Sequence, residues 1–191
     1  APNNGSSDVY VAGTVGGSPI YFGHSESPKV PLDNNGLYVA SQPFVARLSA
    51  QDGTPMWVTS LGIAATTNRV LGLAVDTTRS LIHAAGFVAS GNLPFGQSYG
   101  GLDNESSTGD GFLWTLETTE GHVKGGLVIA GMGQEVLHSV AVSPDVIHLC
   151  GFFNSPIAHL GNASSFTLTN ADSTGTTSDI WWGSLRADIP T

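Results

Sequence analysis

Short apolar runs alternate with polar, glycine-rich stretches along the whole chain. Val9-Tyr10-Val11-Ala12-Gly13, Leu71-Gly72-Leu73-Ala74-Val75-Asp76, Leu81-Ile82-His83-Ala84-Ala85-Gly86-Phe87-Val88 and Val146-Ile147-His148-Leu149-Cys150-Gly151-Phe152-Phe153 are such runs. They are rich in β-branched and aromatic residues and bounded by Gly, Ser, Asn, Asp and Pro, which predicts strands. The predicted strands cover 8–15, 20–23, 37–40, 44–48, 56–63, 70–75, 81–88, 93–96, 112–116, 123–129, 137–142, 146–153, 157–161, 165–169 and 180–185. Turns are expected at 49–55 around Asp52-Gly53, at 76–80 and at 118–121, with polar loops at 24–36, 100–111 and 170–179. No stretch carries the spacing of an amphipathic helix.

The runs recur in one order. A glycine closing an apolar strand appears at Gly13, Gly86 and Gly151. A second landmark follows each: Tyr21-Phe22-Gly23, Pro94-Phe95-Gly96 and His159-Leu160-Gly161. A third is an aromatic strand, 42–48, 110–116 and 179–185; a fourth, Leu73-Ala74-Val75-Asp76 against Val140-Ala141-Val142-Ser143, occurs twice. The period is about 65 to 73 residues. The expected organisation is one β-repeat domain over 1–191: a flexible lead-in at 1–7, a partial repeat at 8–53, and repeats at 54–121 and 122–191. Strands apolar on both faces, such as 81–88, need neighbouring sheets to cover them.

The order G-x-A-V-D, V-Y-V-A-G, F-G, D-x-F-V-A-R-L, D-G and W resembles the bacterial-type β-propeller repeats known as SBBP repeats. It is carried by Leu73 to Asp76, Val9 to Gly13, Phe22-Gly23, Phe44 to Leu48, Asp52-Gly53 and Trp57. Gly125 stands at the position of Trp57, Ser143 at that of Asp76, and Thr115 and Ser184 at that of Arg47. The resemblance implies all-β, four-stranded antiparallel propeller-type blades, usually in extracellular or cell-surface proteins. It implies no common catalytic activity, so no functional residue is carried over. Propellers have four to eight blades, and fewer than three repeats are seen here. The missing blades are expected either in a longer chain or from neighbouring chains that complete the sheet edges; the latter, if it does not close, gives a filament.

Composition narrows the function. Only 11% of residues are charged, against about 25% in an average soluble domain. The formal net charge is −9, which argues against nucleic acid and against an anionic membrane surface. No apolar run is long enough to span a bilayer. The opening at Ala1 shows no signal-peptide pattern and fits a mature end or an excised segment. Asn4, Asn104 and Asn162 begin N-x-S/T acceptor triplets in polar stretches and are the candidate N-glycosylation sites of a secreted protein.

Candidate chemistry is sparse. His83 and His148 share a repeat position with Tyr10, which reads as a packed amphipathic side chain rather than a metal ligand. His24, His122, His138 and His159 do not fall at paired ligand spacings. The polar loops around Asp33, Asp103 to Asp110 and Asp172 to Asp179 match no calcium-loop pattern and read as solvated turns. Trp57, Trp114, Trp181 and Trp182 read as packing residues, with a carbohydrate-stacking face as the alternative. Cys150, the one cysteine, reads as a small buried apolar residue. No catalytic residue, metal site or cofactor is expected. The first expectation is a non-enzymatic, extracellular structural or adhesive protein that self-assembles with its own copies into a filament or surface layer. The alternatives are a carbohydrate-binding propeller segment of a larger secreted protein and, last, a fragment of a secreted hydrolase.

Overall fold

The computed structural model describes residues 8–16, 20–22, 30–32, 42–60, 68–89, 109–161 and 166–187. Among them every regular element is a β-strand: β1 (Val9–Val15), β2 (Ile20–Phe22), β3 (Val30–Leu32), β4 (Gln42–Leu48), β5 (Pro55–Ser60), β6 (Asn68–Asp76), β7 (Leu81–Val88), β8 (Asp110–Glu117), β9 (Val123–Gly131), β10 (Glu135–Ser143), β11 (Val146–Phe153), β12 (Ile157–Leu160), β13 (Thr167–Thr169) and β14 (Asp179–Arg186). All their pairings are antiparallel. The strands predicted over 37–40 and 93–96, and the lead-in 1–7, lie outside the described residues. β3 departs from the expectation of a polar loop over 24–36. Val30–Leu32 pairs back on β2 as a two-stranded ribbon, where the proline between Val30 and Leu32 is tolerated because an edge need not donate its N–H.

The strands form a first sheet in the order β1-β4-β5, a central six-stranded sheet, a third sheet in the order β10-β11-β14, and the β2–β3 ribbon. In the central sheet β6 to β9 run as a consecutive meander, and β12 and β13 extend it beyond β9. This differs from uniform four-stranded blades. The free edge of β9 would present a row of unpaired N–H and C=O groups, and the β12–β13 hairpin pairs with it through Ile129, Ala130 and Gly131. The described residues form no closed barrel or propeller ring.

The three sheets stack. Side chains alternate across a strand, so the central sheet sends one set to each neighbour. Ile82, Ala84, Val88, Phe112, Trp114 and Leu116 pack with Val45, Trp57, Tyr10 and Ala12 of the first sheet. Ala85, Leu113 and Ile129 pack with Leu137, Val140, Ile147, Leu149, Phe153 and Trp181 of the third. Each fully buried large side chain in these layers stabilises the fold by roughly 1.5–3 kcal/mol. Turns fasten one sheet to the next. The Trp57 indole N–H donates to the Thr118 carbonyl at 3.1 Å, and Arg47 donates to the Thr118 and Thr119 carbonyls at 3.2 and 3.0 Å. Arg79, in the β6–β7 turn, donates to the Pro144 carbonyl of the β10–β11 turn at 2.5 Å.

The register explains the landmark glycines. Gly13, Gly86 and Gly151 lie opposite Phe44, Phe112 and Trp181 in their ladders. On the other side, Gly86 faces a register shift between Val70 and Gly72 of β6, and Gly151 faces one between Leu137 and Ser139 of β10. A β-bulge turns a carbonyl out of the ladder. A Cβ at Gly86 would lie 1.9 Å from the Arg69 carbonyl oxygen, and one at Gly151 would lie 2.0 Å from that of Val136. Only glycine leaves room there.

Candidate functional site

Stacking covers both faces of the central sheet and the inner faces of its neighbours. The outer face of the third sheet stays open. There β11 and β14 place Cys150 opposite Trp182 and Phe152 opposite Ile180. Trp182 is 82% exposed and Ile180 88%. Strand alternation makes this pattern: Trp181 points inward and is buried while its neighbours Ile180 and Trp182 point out. Ile180 and Trp182 thus form an exposed apolar pair on a face that also carries exposed Ser139, His148 and Ser184.

Cys150 belongs to this open face, which corrects its reading as a buried residue. Ala85, at the aligned position one sheet inward, is fully buried because the third sheet lies on it. The local sequences are alike; burial differs because no described residue overlies Cys150. The opposite end of the stack is open in part. On the outer face of the first sheet Val9, Val11 and Met56 are exposed, while Phe44 and Ala46 of the central strand are buried among Val15, Leu48 and Val58.

The tryptophans divide. Trp57, Trp114 and Trp181 are buried, and Trp182 alone stands out. Trp181 lines an apolar cavity of about 230 Å³ with Leu127, Leu149, Leu160 and Phe166. The aligned residues Tyr10, His83 and His148 lie in three different sheets and do not converge. The Tyr10 hydroxyl donates to the Thr118 carbonyl at 3.5 Å. His83 is buried with Nδ1 3.0 Å from Thr115 Oγ1; burial pushes its imidazole below the ordinary value despite the nearby Asp76 carboxylate. His148 is exposed, with Nε2 3.2 Å from Ser143 Oγ. His138 and His159 are exposed, and His24 lies outside the described residues.

Two groupings escape sequence reasoning. The β8–β9 turn gathers Glu117, Glu120 and His122, whose ligand atoms lie within 4.8 Å of one another. Lys124 Nζ already sits 3.0 Å from Glu117 Oε2, and His122 and Glu120 are exposed, so the group reads as a solvated ion-pair cluster. The second is the carboxyl pair Asp110 and Glu135, both fully buried where β8 meets β10. Glu135 Oε1 accepts from Ser155 Oγ. Burial raises the Glu135 pKa, and hydrogen bonds from Ser155 and Asp110 offset that only in part. The aligned positions at the preceding sheet contact hold Gln42 and Asn68, also buried.

In the loop 170–179 the Asp172 carboxylate accepts the backbone N–H groups of Thr174, Thr176 and Thr177 at 2.9 to 3.0 Å. Its pKa falls well below the carboxylate range, chiefly through the Thr174 and Thr176 hydroxyls. The loop is thus ordered around its own carboxylate. Most of the loop 100–111, Asp33, and the acceptor residues Asn4, Asn104 and Asn162 lie outside the described residues. No helix among the described residues is long and apolar enough to cross a membrane. No protein-family model matches the chain, and no curated protein is significantly similar to it.

Proposed function

We propose that this chain is a non-enzymatic extracellular structural protein, built of propeller-type blades of the SBBP kind, that assembles with copies of itself. The observation that carries the reading is the open outer face of the third sheet, with the apolar Trp182 and Ile180 almost fully exposed. A single apolar side chain on a surface is ordinary; a paired row in one ladder favours a covering partner. The blade reading draws support from strand order. β1-β4-β5 and β7-β8-β9 pair in the same way, and β10-β11-β14 repeats β6-β7-β8. A hairpin, β2–β3 or β12–β13, intervenes at the same point of the first and third units. An extracellular setting is supported by the low charge and by the acceptor triplets at Asn4, Asn104 and Asn162.

Carbohydrate binding is the second reading, and exposed Trp182 favours it. Sugar sites set polar hydrogen-bonding groups beside the aromatic ring; beside Trp182 stand Cys150 and, diagonally, Phe152 and exposed His148. Self-association stands first because exposed Ile180 and Trp182 and half-buried Phe152 form an apolar row on the same two strands. Light scattering on the eluting chain tests it: the mass should rise through multiples of 19.7 kDa with concentration. A mass fixed at one chain up to millimolar concentration sinks the proposal.

A further inference from the structure

We infer that copies join head to tail, the outer face of the third sheet seating on the outer face of the first sheet of the next copy. This rests on the self-assembly reading above and names the surfaces that carry it. The argument is continuity with the contacts already inside the molecule. Two stacked contacts occur along the chain, first sheet on central and central on third. In each, the same aligned positions meet.

On the outward side of a sheet these positions are Ala12 and Val45 in the first contact and Ala85 and Leu113 in the second. Cys150 and Trp182 occupy them in the third sheet and are uncovered. On the receiving side the positions are Ile82 and Ala84 in the first contact and Ile147 and Leu149 in the second. Val9 and Val11 occupy them in the first sheet and are exposed. The open third-sheet face is thus the outward half of the contact made twice internally. The receiving half of that contact also uses β6 and β10; among the described residues the first sheet offers the β1 part of it, with Phe44 and Ala46 already buried. The two faces therefore match in part. They are unlike each other, so the joint is heterologous: it propagates as a filament or closes as a ring. A symmetric dimer would instead pair a face with itself and leave the other end bare.

Two blocked variants test this. Trp182→Glu places a charge on the third-sheet face, and Val11→Glu places one on the first-sheet face. Both positions are solvent-exposed in the single chain, and circular dichroism checks that each variant retains its β-sheet spectrum. Wild type should assemble, each variant alone should stay at the mass of one chain, and an equimolar mixture should give a two-chain complex and stop there. In that complex the intact third-sheet face of V11E meets the intact first-sheet face of W182E. If wild type assembles and W182E assembles equally well, the face assignment fails while self-assembly stands. If either variant alone forms a stable dimer, its one intact face pairs with itself, the joint is symmetric and the head-to-tail inference is overturned. If wild type remains a single chain, both readings fail.

Discussion

Gly86 lies against the carbonyl of Arg69, where β6 bulges and turns that oxygen towards β7; a Cβ there would approach it to 1.9 Å. Backbone cannot move aside as a side chain end can. Gly86→Ala should therefore cost about 3 kcal/mol, at the upper end of overpacking effects. Gly151→Ala, with the Val136 carbonyl at 2.0 Å, should cost about as much. Gly13→Ala should cost under about 1 kcal/mol, the ordinary propensity range. Its nearest neighbour is a Phe44 ring carbon at 3.2 Å, and β1 is an edge strand with no bulged partner. Denaturant unfolding of the three variants checks this order.

Glu135 predicts a loss of stability on the alkaline side. Burial raises its pKa in the folded chain, so the folded state holds that proton more tightly than the unfolded one. Its contribution is complete below the ordinary value of 4.5 and is lost as pH rises through the raised folded value. Glu135→Gln keeps the shape, cannot ionise, and matches the amides Gln42 and Asn68 at the preceding contact. It should flatten the decline and make the chain more stable than wild type at pH 8. Equal pH profiles for the two chains would contradict the assignment.

Asp76 predicts the opposite slope. It is buried, and burial opposes its ionisation. The Arg79 backbone N–H and guanidinium and the Thr78 N–H outweigh that and hold its pKa below 3.8. A lowered folded pKa gives stability that is present above the ordinary value and lost as pH falls through the folded one. Asp76→Ala should cost about 1–3 kcal/mol at pH 7, the cost of unsatisfied turn donors. Its deficit against wild type should shrink below pH 3. Unfolding curves from pH 2 to pH 7 measure both.

Strand positions are legible because each run is bracketed by turn formers; 81–88 and 146–153 match β7 and β11 at both ends. The landmark glycines are legible as a pattern but not as a cause, since a bulge in a partner strand leaves no local mark on Gly86. Cys150 reads as buried in sequence for a similar reason. Its strand resembles that of Ala85, and only the number of stacked sheets decides which is covered. The transfer of β12–β13 to the edge of β9 is a choice between competing edges, invisible to periodicity. Glu135 looks like a charged residue beside a turn; it is buried where β10 meets Asp110 of β8 in the central sheet and Ser155 of the segment between β11 and β12. The proposed acceptors Asn4, Asn104 and Asn162 lie outside the described residues, so the structure bears on none of them.

The most direct measurement is a cross-link between the two proposed faces. Cys150 is the one natural cysteine, and Val11→Cys adds a second thiol on the opposite end of the stack. The aligned residues Ala85 and Leu149 share one packed cluster, so the two thiols should come within reach of a short bis-maleimide in assembled material. The account predicts a ladder of multimers on a denaturing gel. Mass spectrometry should find peptides that join the introduced thiol to Cys150, and none when Trp182→Glu is added. Dimers joined only through Cys150–Cys150, or no link in assembled material, would contradict it.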